Sequence, residues 1–375
     1  METSSARVRL HPQSVRLLRA GLLMVAVATT MPSAVLLLQH HPIAVDLEIP
    51  LRAAQRWLRG EPPYLASAFE VTGGPELPFL YPPVVLPILA PLVDLPRWLL
   101  SAAWLSICVG CALYALARFR VPAAWWPLFL LSPPFLEPLL GGNVQLVMLA
   151  LFAWLFFRGG PGPAFSPLPR DPTATERPGW AIGLGASLIA AFKVSQAHAW
   201  GYLLIRRPRA ALVGAGLLVA VAVATLPVTG IGLWLDWLGQ LRRAADPAWL
   251  AGGISVGRYL PAVVALAVSL GSALALALVP RRRAGEWIGI LTVLGAPSLH
   301  VFGVLPMLPA FLRVRRELAL VAAAFVGTLT EPGLWLAVAL VAVSYVGGTR
   351  WPHLLEAAEP GGGAARSPGG RPSGS

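Results

Sequence analysis

Two carboxylates, Asp46 and Glu48, stand in a polar interruption, residues 45–83, between two apolar runs. A carboxylate at a membrane–water boundary can take a proton from a hydroxyl if partial burial offsets the acid-strengthening field of a helix N-terminus. The same pair also complements a helix dipole, and spacing alone does not separate the two roles. Lys193, the only lysine, sits deep in the apolar stretch AAFKVSQAHAW. It is too far from either end of that stretch to snorkel, so its ammonium needs an anion, either a phosphate or an acidic side chain. His198 follows five residues later on a different helical face and makes no dyad with it.

Glu137, Asn143 and Gln145 occupy SPPFLEPLLGGNVQ, a broken segment at membrane depth. A carboxylate there is costly and is a functional candidate by default. The two amides suit a sugar or phosphate, or equally an interhelical hydrogen bond. In GGISVGR, Ser255 and the backbone N–H groups are donors, and Arg258 can meet a phosphate or a lipid headgroup. His300, in GAPSLHVFG beside a helix break, has the same two readings of ligand donor and interhelical partner. Tyr81, in FLYPP, reads first as an interfacial anchor.

The elements that must position these residues are transmembrane. The 375-residue chain is 56% hydrophobic and 12% charged, against about 25% charge in a soluble domain. Continuous Leu/Ala-rich runs, without the alternation of a barrel, predict an all-α polytopic helical bundle of about 10–12 spans. Spans are expected at 16–38, 80–96, 97–117, 122–140, 143–158, 179–205, 209–228, 259–279, 286–299, 300–312, 317–330 and 333–348, with Pro297 favouring a break between 286–299 and 300–312 over one long helix. Pro50 predicts a helix over 50–59 in the first interruption, with Leu51, Ala54 and Leu58 on one face and Arg52, Arg56 and Arg59 on another, closed by Gly60. Residues 159–178 read as a mobile Pro/Gly linker. The organisation expected is one membrane unit over 1–350 and a cytoplasmic tail of disorder composition over 351–375.

The formal charge of +12 sits mainly in short arginine clusters beside apolar runs: Arg7–Arg19, Arg206–Arg209, Arg281–Arg283 and Arg313–Arg316. That is the positive-inside pattern and not a nucleic-acid footprint. Strict alternation puts these clusters in the cytoplasm and residues 39–79 and 229–258 on the outer face. It also puts Arg118, Arg120 and 159–178 outside, against the charge rule. Cys108 and Cys111 form a CxxC inside an apolar helix and read as packing residues, so neither metal nor cofactor is expected.

The order of these features resembles glycosyltransferase family 87, the polyprenyl-phosphate-mannose-dependent mannosyltransferases of the C-type membrane glycosyltransferases. The similar stretches are DLEIPLRAAQRWLRGEPPY, which adds Tyr64, then FLYPPVVLPILAPL, GGNVQLVMLALF, AAFKVSQAHAWGYLLIRRPRAAL and GGISVGR. They cover roughly 20–315. Here Asn143 and Gln145 are exchanged in order, Ser195 follows the lysine where proline is usual, and GGISVGR lacks an asparagine. The resemblance implies inverting, metal-independent transfer of a hexose, mannose in most of the family, from a polyprenyl-phosphate sugar to a hydroxyl of a lipid or glycan acceptor. It implies an outer-face site in the cell membrane, with Asp46 as general base. Glu48, Tyr64, Tyr81, Glu137, Asn143, Gln145, Lys193, His198, Ser255, Arg258 and His300 become its candidate substrate contacts. The residues by themselves also admit a transporter or flippase with Lys193 on its path.

Overall fold

The structure is a computed structural model that describes residues 43–314, except 71–73, 161–162, 173–176, 247–257 and 297–298, with isolated positions between 13 and 39. The spans expected at 317–330 and 333–348, the tail and most of 16–38 lie outside the described residues. The described chain is almost wholly helical, as the apolar periodicity requires.

Helix α1 spans Val45–Leu58 and begins five residues earlier than Pro50 suggested. Ala44, in the left-handed region at φ 61°, turns the chain into the helix and donates its N–H to the Leu140 carbonyl at 2.8 Å. A tertiary contact therefore sets the helix start, and Pro50 lies inside it. Asp46 and Glu48 consequently occupy the first turn instead of preceding it. Gly60, at φ 74°, ends it as expected. Pro50, Leu51, Ala53 and Ala54 form the buried face, whereas Leu58 is exposed.

Residues 80–96 do not cross the molecule. Pro82, Pro83, Pro87, Pro91 and Pro96 break them into α2, Val85–Leu89, and a single 3-10 turn, Ala90–Leu92. This piece lies against α1 in a cluster of Ala53, Ala54, Phe79, Val85 and Leu86. Helix α3, Arg97–Arg118, is the first described helix long and apolar enough to span a membrane. Then come α4, Trp126–Leu130, α5, Pro133–Gly141, and α6, Gln145–Phe156. Strands β1, Phe157–Arg158, and β2, Leu168–Pro169, pair antiparallel.

The linker 159–178 is held in place over its described part, contrary to the mobility its composition suggested. Phe165 donates its N–H to Arg120 O at 2.8 Å and packs edge-on against Trp125, and the Arg177 guanidinium lies 4.1 Å from the centre of the Trp154 ring. The expected span 179–205 is a hairpin. Helix α7, Gly179–Phe192, and helix α8, His198–Arg206, meet at a 3-10 turn, Val194–Gln196. Lys193 thus stands at a hairpin tip and not in mid-helix.

Helix α9, Pro208–Ala244, is the second span-length apolar helix; it kinks at Gly230 and runs on through what was expected to be loop. Trp237 and Gln240 near its end donate to Leu80 O and Leu65 O, each at 3.0 Å, and so dock the first loop. Helix α10, Ala262–Ala275, and helix α11, Ala284–Gly295, follow. A 3-10 segment, Val301–Met307, and α12, Leu308–Val314, complete the described chain. The break expected near Pro297 is present, since α11 stops at Gly295. Glu286, fully buried on α11, pairs with Arg313 at 3.1 Å.

Two miscounted spans misplaced the middle of the chain. Arg118 packs on Gly159, Phe165 on Arg120, Arg313 on the Pro167 carbonyl and Arg207 on the Pro172 carbonyl. The charges of Asp171, Arg206 and Arg281 all act at Tyr202. Arg118, Arg120 and the described part of the linker therefore share an end with Arg206–Arg209, Arg281–Arg283 and Arg313, opposite Asp46. Counting 80–96 as a span inverted everything after it, and counting the 179–205 hairpin as one span restored the phase by residue 206.

Helices α7 and α9 touch backbone to backbone. A Cβ on Gly183 would overlap the Ala210 carbonyl oxygen, and one on Gly214 would overlap the Gly183 backbone, whereas Gly216 has open space around it. Gly183→Ala should therefore cost roughly 1–3 kcal/mol by overpacking. It should lower the unfolding temperature in detergent, while Gly216→Ala should leave it nearly unchanged.

Candidate active site

The site forms where α1 meets the Gly141–Gly142–Asn143 turn between α5 and α6. Gly142 is left-handed at φ 67°, and a Cβ there would come within 3.1 Å of Ala44 and Trp104. The two chains can approach this closely only with glycine at that position. Trp104 locks the turn by donating to Gly142 O at 2.6 Å. Asn143 Nδ2 then donates to Asp46 Oδ2 at 2.8 Å. The Asn143 amide can face only one way, because its Oδ1 accepts the Gln145 backbone N–H at 2.9 Å. Gln145 Oε1 in turn accepts from Gln196 Nε2 at 2.8 Å. Three polar side chains thus connect Asp46 to the hairpin tip.

Lys193 leaves the helix at that tip, with φ −139° and ψ 83°. The charges of Asp46 and Glu137 both act on its ammonium, which also lies 5.0 Å from the centre of the Phe302 ring. Glu137, half-buried on α5, feels both Asp46 and Lys193. His300 stacks on the other partner of that contact, with ring centres 5.4 Å apart from Phe302, and feels the charge of Lys193. The structure thus gathers Asp46, Glu137, Asn143, Gln145, Lys193 and His300 from four distant stretches of sequence.

A cavity of about 430 Å³ opens beside Asp46. Its walls are almost entirely apolar and include Tyr81, Ile88, Leu100, Ile107 and Phe192. Tyr81 packs 5.7 Å from Phe192, and Asp46 acts on its hydroxyl. Tyr64 supports this wall from behind. Its hydroxyl donates to Tyr81 O at 2.9 Å and its ring stacks on Phe79.

Other candidates fall elsewhere. Glu48 sits on the rim, ion-paired with Arg97 at 3.7 Å and Arg52 at 3.8 Å. His198 shares a hydrogen bond of 2.9 Å with Ser272 of α10, a helix–helix contact. Arg258 is exposed, 6.0 Å from the ring centre of its neighbour Tyr259. Ser255 lies outside the described residues. Sequence reasoning missed Gln196 and Arg97. The signal for Gln196 was a second polar residue three positions after the lone lysine, and for Arg97 a cation at the start of a span.

A carboxylate held by an amide at the wall of an apolar cavity, with an ammonium whose charge acts on it, makes this end of the helical protein the candidate site. The chain belongs to glycosyltransferase family 87, whose family model matches residues 79–334. It is therefore a membrane glycosyltransferase, with a sugar donor and an acceptor as its substrates. No curated protein and no solved structure matches it. The family match begins at Phe79, so Asp46, Glu48 and Tyr64 precede it. Asp46 joins the matched region through its bond to Asn143.

Outside the cavity, Glu76 clamps the first loop to α1 by bonding to Arg52 and, at 2.8 Å, to Arg56. The hydrogen bond from Arg56, with the added charge of Arg52, holds its carboxyl below the ordinary Glu range. A lowered folded-state pKa means that the clamp contributes fully above the unfolded value and is lost as pH falls through the folded one. Because the pair is exposed, Glu76→Gln should cost about 1 kcal/mol or less at neutral pH in low salt. Thermal melts should show the difference vanishing in about 1 M salt and as the pH drops below about 4.

Proposed function

We propose that the protein moves a hexose, with mannose as the first candidate, from a polyprenyl-phosphate sugar to a hydroxyl of a lipid or glycan acceptor at the outer face of the cell membrane. The observation that carries this reading is Asp46 at the wall of the apolar cavity, hydrogen-bonded by Asn143 and electrostatically coupled to Lys193. The cavity suits the first isoprene units of the donor. The acceptor hydroxyl gives its proton to the Asp46 carboxylate as its oxygen attacks the anomeric carbon. The bond from that carbon to the phosphate oxygen breaks with inversion, and its electron pair leaves on polyprenyl phosphate. Lys193, with His300 beside it, compensates the charge that develops there. Glu137 holds the Lys193 ammonium near Asp46 before the donor phosphate takes over that charge.

The face of the membrane follows from the arginines. With Arg118 and Arg120 at the far end, they join Arg206–Arg209, Arg281–Arg283 and Arg313 opposite Asp46, and this majority of the arginines supports a multi-pass protein with its site outside. In a cysteine-free background, Glu61→Cys should react with an impermeant maleimide added to intact cells, and Arg282→Cys only after permeabilisation. Reversed labelling would overturn the outer-face assignment.

Asp46→Asn should cut transfer from polyprenyl-phosphate mannose to a lipid acceptor by about 10²–10⁴-fold in purified protein. Full transfer by this variant would remove Asp46 as base, and failure of the wild type with every lipid-linked sugar would overturn the reaction. Asn143 is a positioning residue, so Asn143→Ala should lower kcat by about 10–100-fold with little change in KM. Asn143→Asp, which sets a like charge against Asp46, should be worse.

A further inference from the structure

Past the kink at Gly230, the last part of α9, residues 231–244, presents three surfaces in three successive helical registers. Leu233, Trp237 and Gln240 face the protein. Leu233 and Trp237 pack on the cluster of Tyr64, Phe79 and Val85, and Trp237 and Gln240 hold the first loop through the carbonyls of Leu80 and Leu65. Ile231, Leu235 and Leu238 form the second surface, apolar and 66%, 62% and 53% exposed among the described residues. Gly232, Asp236, Gly239 and Arg243 form the third, where both charged residues are exposed. We propose that residues 231–244 lie along the bilayer surface as an interfacial helix. The register of Ile231, Leu235 and Leu238 sits in the lipid of the leaflet on the Asp46 side, and the register of Asp236 and Arg243 sits in water. The inference rests on α9 crossing the membrane and not on the sugar-transfer reaction.

The length of α9 sets the depth of its kink. At about 1.5 Å per residue, residues 208–229 rise about 33 Å, close to the roughly 30 Å of bilayer hydrocarbon. Gly230, with φ 69° and ψ 155°, therefore breaks the helix where the chain leaves the hydrocarbon. A straight continuation would carry Ile231, Leu235 and Leu238 into water, whereas a helix turned along the surface keeps them in lipid. Val228, exposed just before the kink, is followed by Ile231 just after it, so the apolar surface carries on past Gly230.

Trp234 braces the junction. Its Nε1 donates to Thr229 Oγ1 at 3.2 Å, and its ring meets Trp237 edge-on with centres 5.7 Å apart. Indoles favour the headgroup level, where an apolar ring and a polar N–H are both accommodated. Arg242 continues the apolar register in the last turn, where its methylenes stay in lipid while the guanidinium reaches the headgroups. The polar register begins about 100° around the helix from the apolar one, and that is the division between lipid and water that an interfacial helix makes. With lipid on one side and the first loop on another, this helix ties the cavity wall at Tyr81 to the membrane surface.

The test is collision of a nitroxide side chain with dissolved oxygen, which concentrates in the bilayer, and with a water-soluble nickel chelate. Full-length protein in a cysteine-free background, in nanodiscs of phosphatidylcholine and phosphatidylglycerol, carries the label at Leu235→Cys or at Asp236→Cys. The ratio of oxygen to nickel collisions should be about tenfold higher at position 235 than at 236. Across single labels from 231 to 239 the ratio should peak at 231, 235 and 238 and fall at 232, 236 and 239, so the result survives the loss of any one variant to misfolding. Strong nickel collision at both 235 and 236 would place the helix in water and overturn the proposal. Weak collision with both agents at 235 would place protein on this face, either another part of this chain or a second copy, and would overturn it as well.

Discussion

The hydrogen bond from Asn143 to Asp46 is the constraint around which the catalytic end of the molecule is built. It joins a first helix that precedes the family match to the body of the family fold. It exists only because Gly142 adopts a left-handed conformation and leaves no Cβ between the turn and Ala44. The Gln145 backbone N–H fixes the Asn143 amide, and the Gln145 and Gln196 side chains carry the connection to the Lys193 turn. Breaking one of these bonds would leave a buried amide group unpaired at a cost of about 1–3 kcal/mol. Asp46 and the turn that carries Lys193 are therefore joined by one connected set of bonds.

Charge divides the protein into two ends with opposite tasks. Around Asp46 the charges are few, mixed in sign and close together, so each is felt by the others. At the far end the arginines are numerous, and Arg118, Arg177, Arg206, Arg207 and Arg313 rest on carbonyls or on aromatic rings. In the proposed function, long-range charge orients the chain in the membrane and short-range charge acts at the sugar-transfer site. The glycine-to-glycine contact of α7 with α9 serves both ends, because it fixes the hairpin whose tip carries Lys193 and whose base carries Arg206 and Arg207.

Much of this was legible beforehand. Asp46, Glu137, Lys193 and His300 stood out because ionisable groups in apolar surroundings are rare, and the structure assembles them. The first helix was visible from its arginine face and Gly60, but its start was not. Pro50 marks a favourable first turn in isolation, while the Ala44 bond to Leu140 sets the true start five residues earlier. Asn143 and Gln145 were recognisable as polar pieces of the site, though not as the links that hold Asp46. Tyr64 and His198 illustrate the limit in the other direction, since a hydroxyl or imidazole in an apolar chain is satisfied as readily by a backbone carbonyl or a neighbouring serine as by a substrate.

The sequence by itself determined the all-α membrane class, the arginine clusters and the handful of residues able to do chemistry. Apolar transfer energy and formal charge belong to each residue wherever it lies. Only the tertiary structure decided which apolar runs cross and which turn back. Residues 80–96 and 179–205 are each apolar enough to span, yet one folds against α1 and the other doubles over at Lys193. That choice depends on packing partners distant in sequence, and it is what brings Lys193 to Asp46 and carries 118–178 to the basic end.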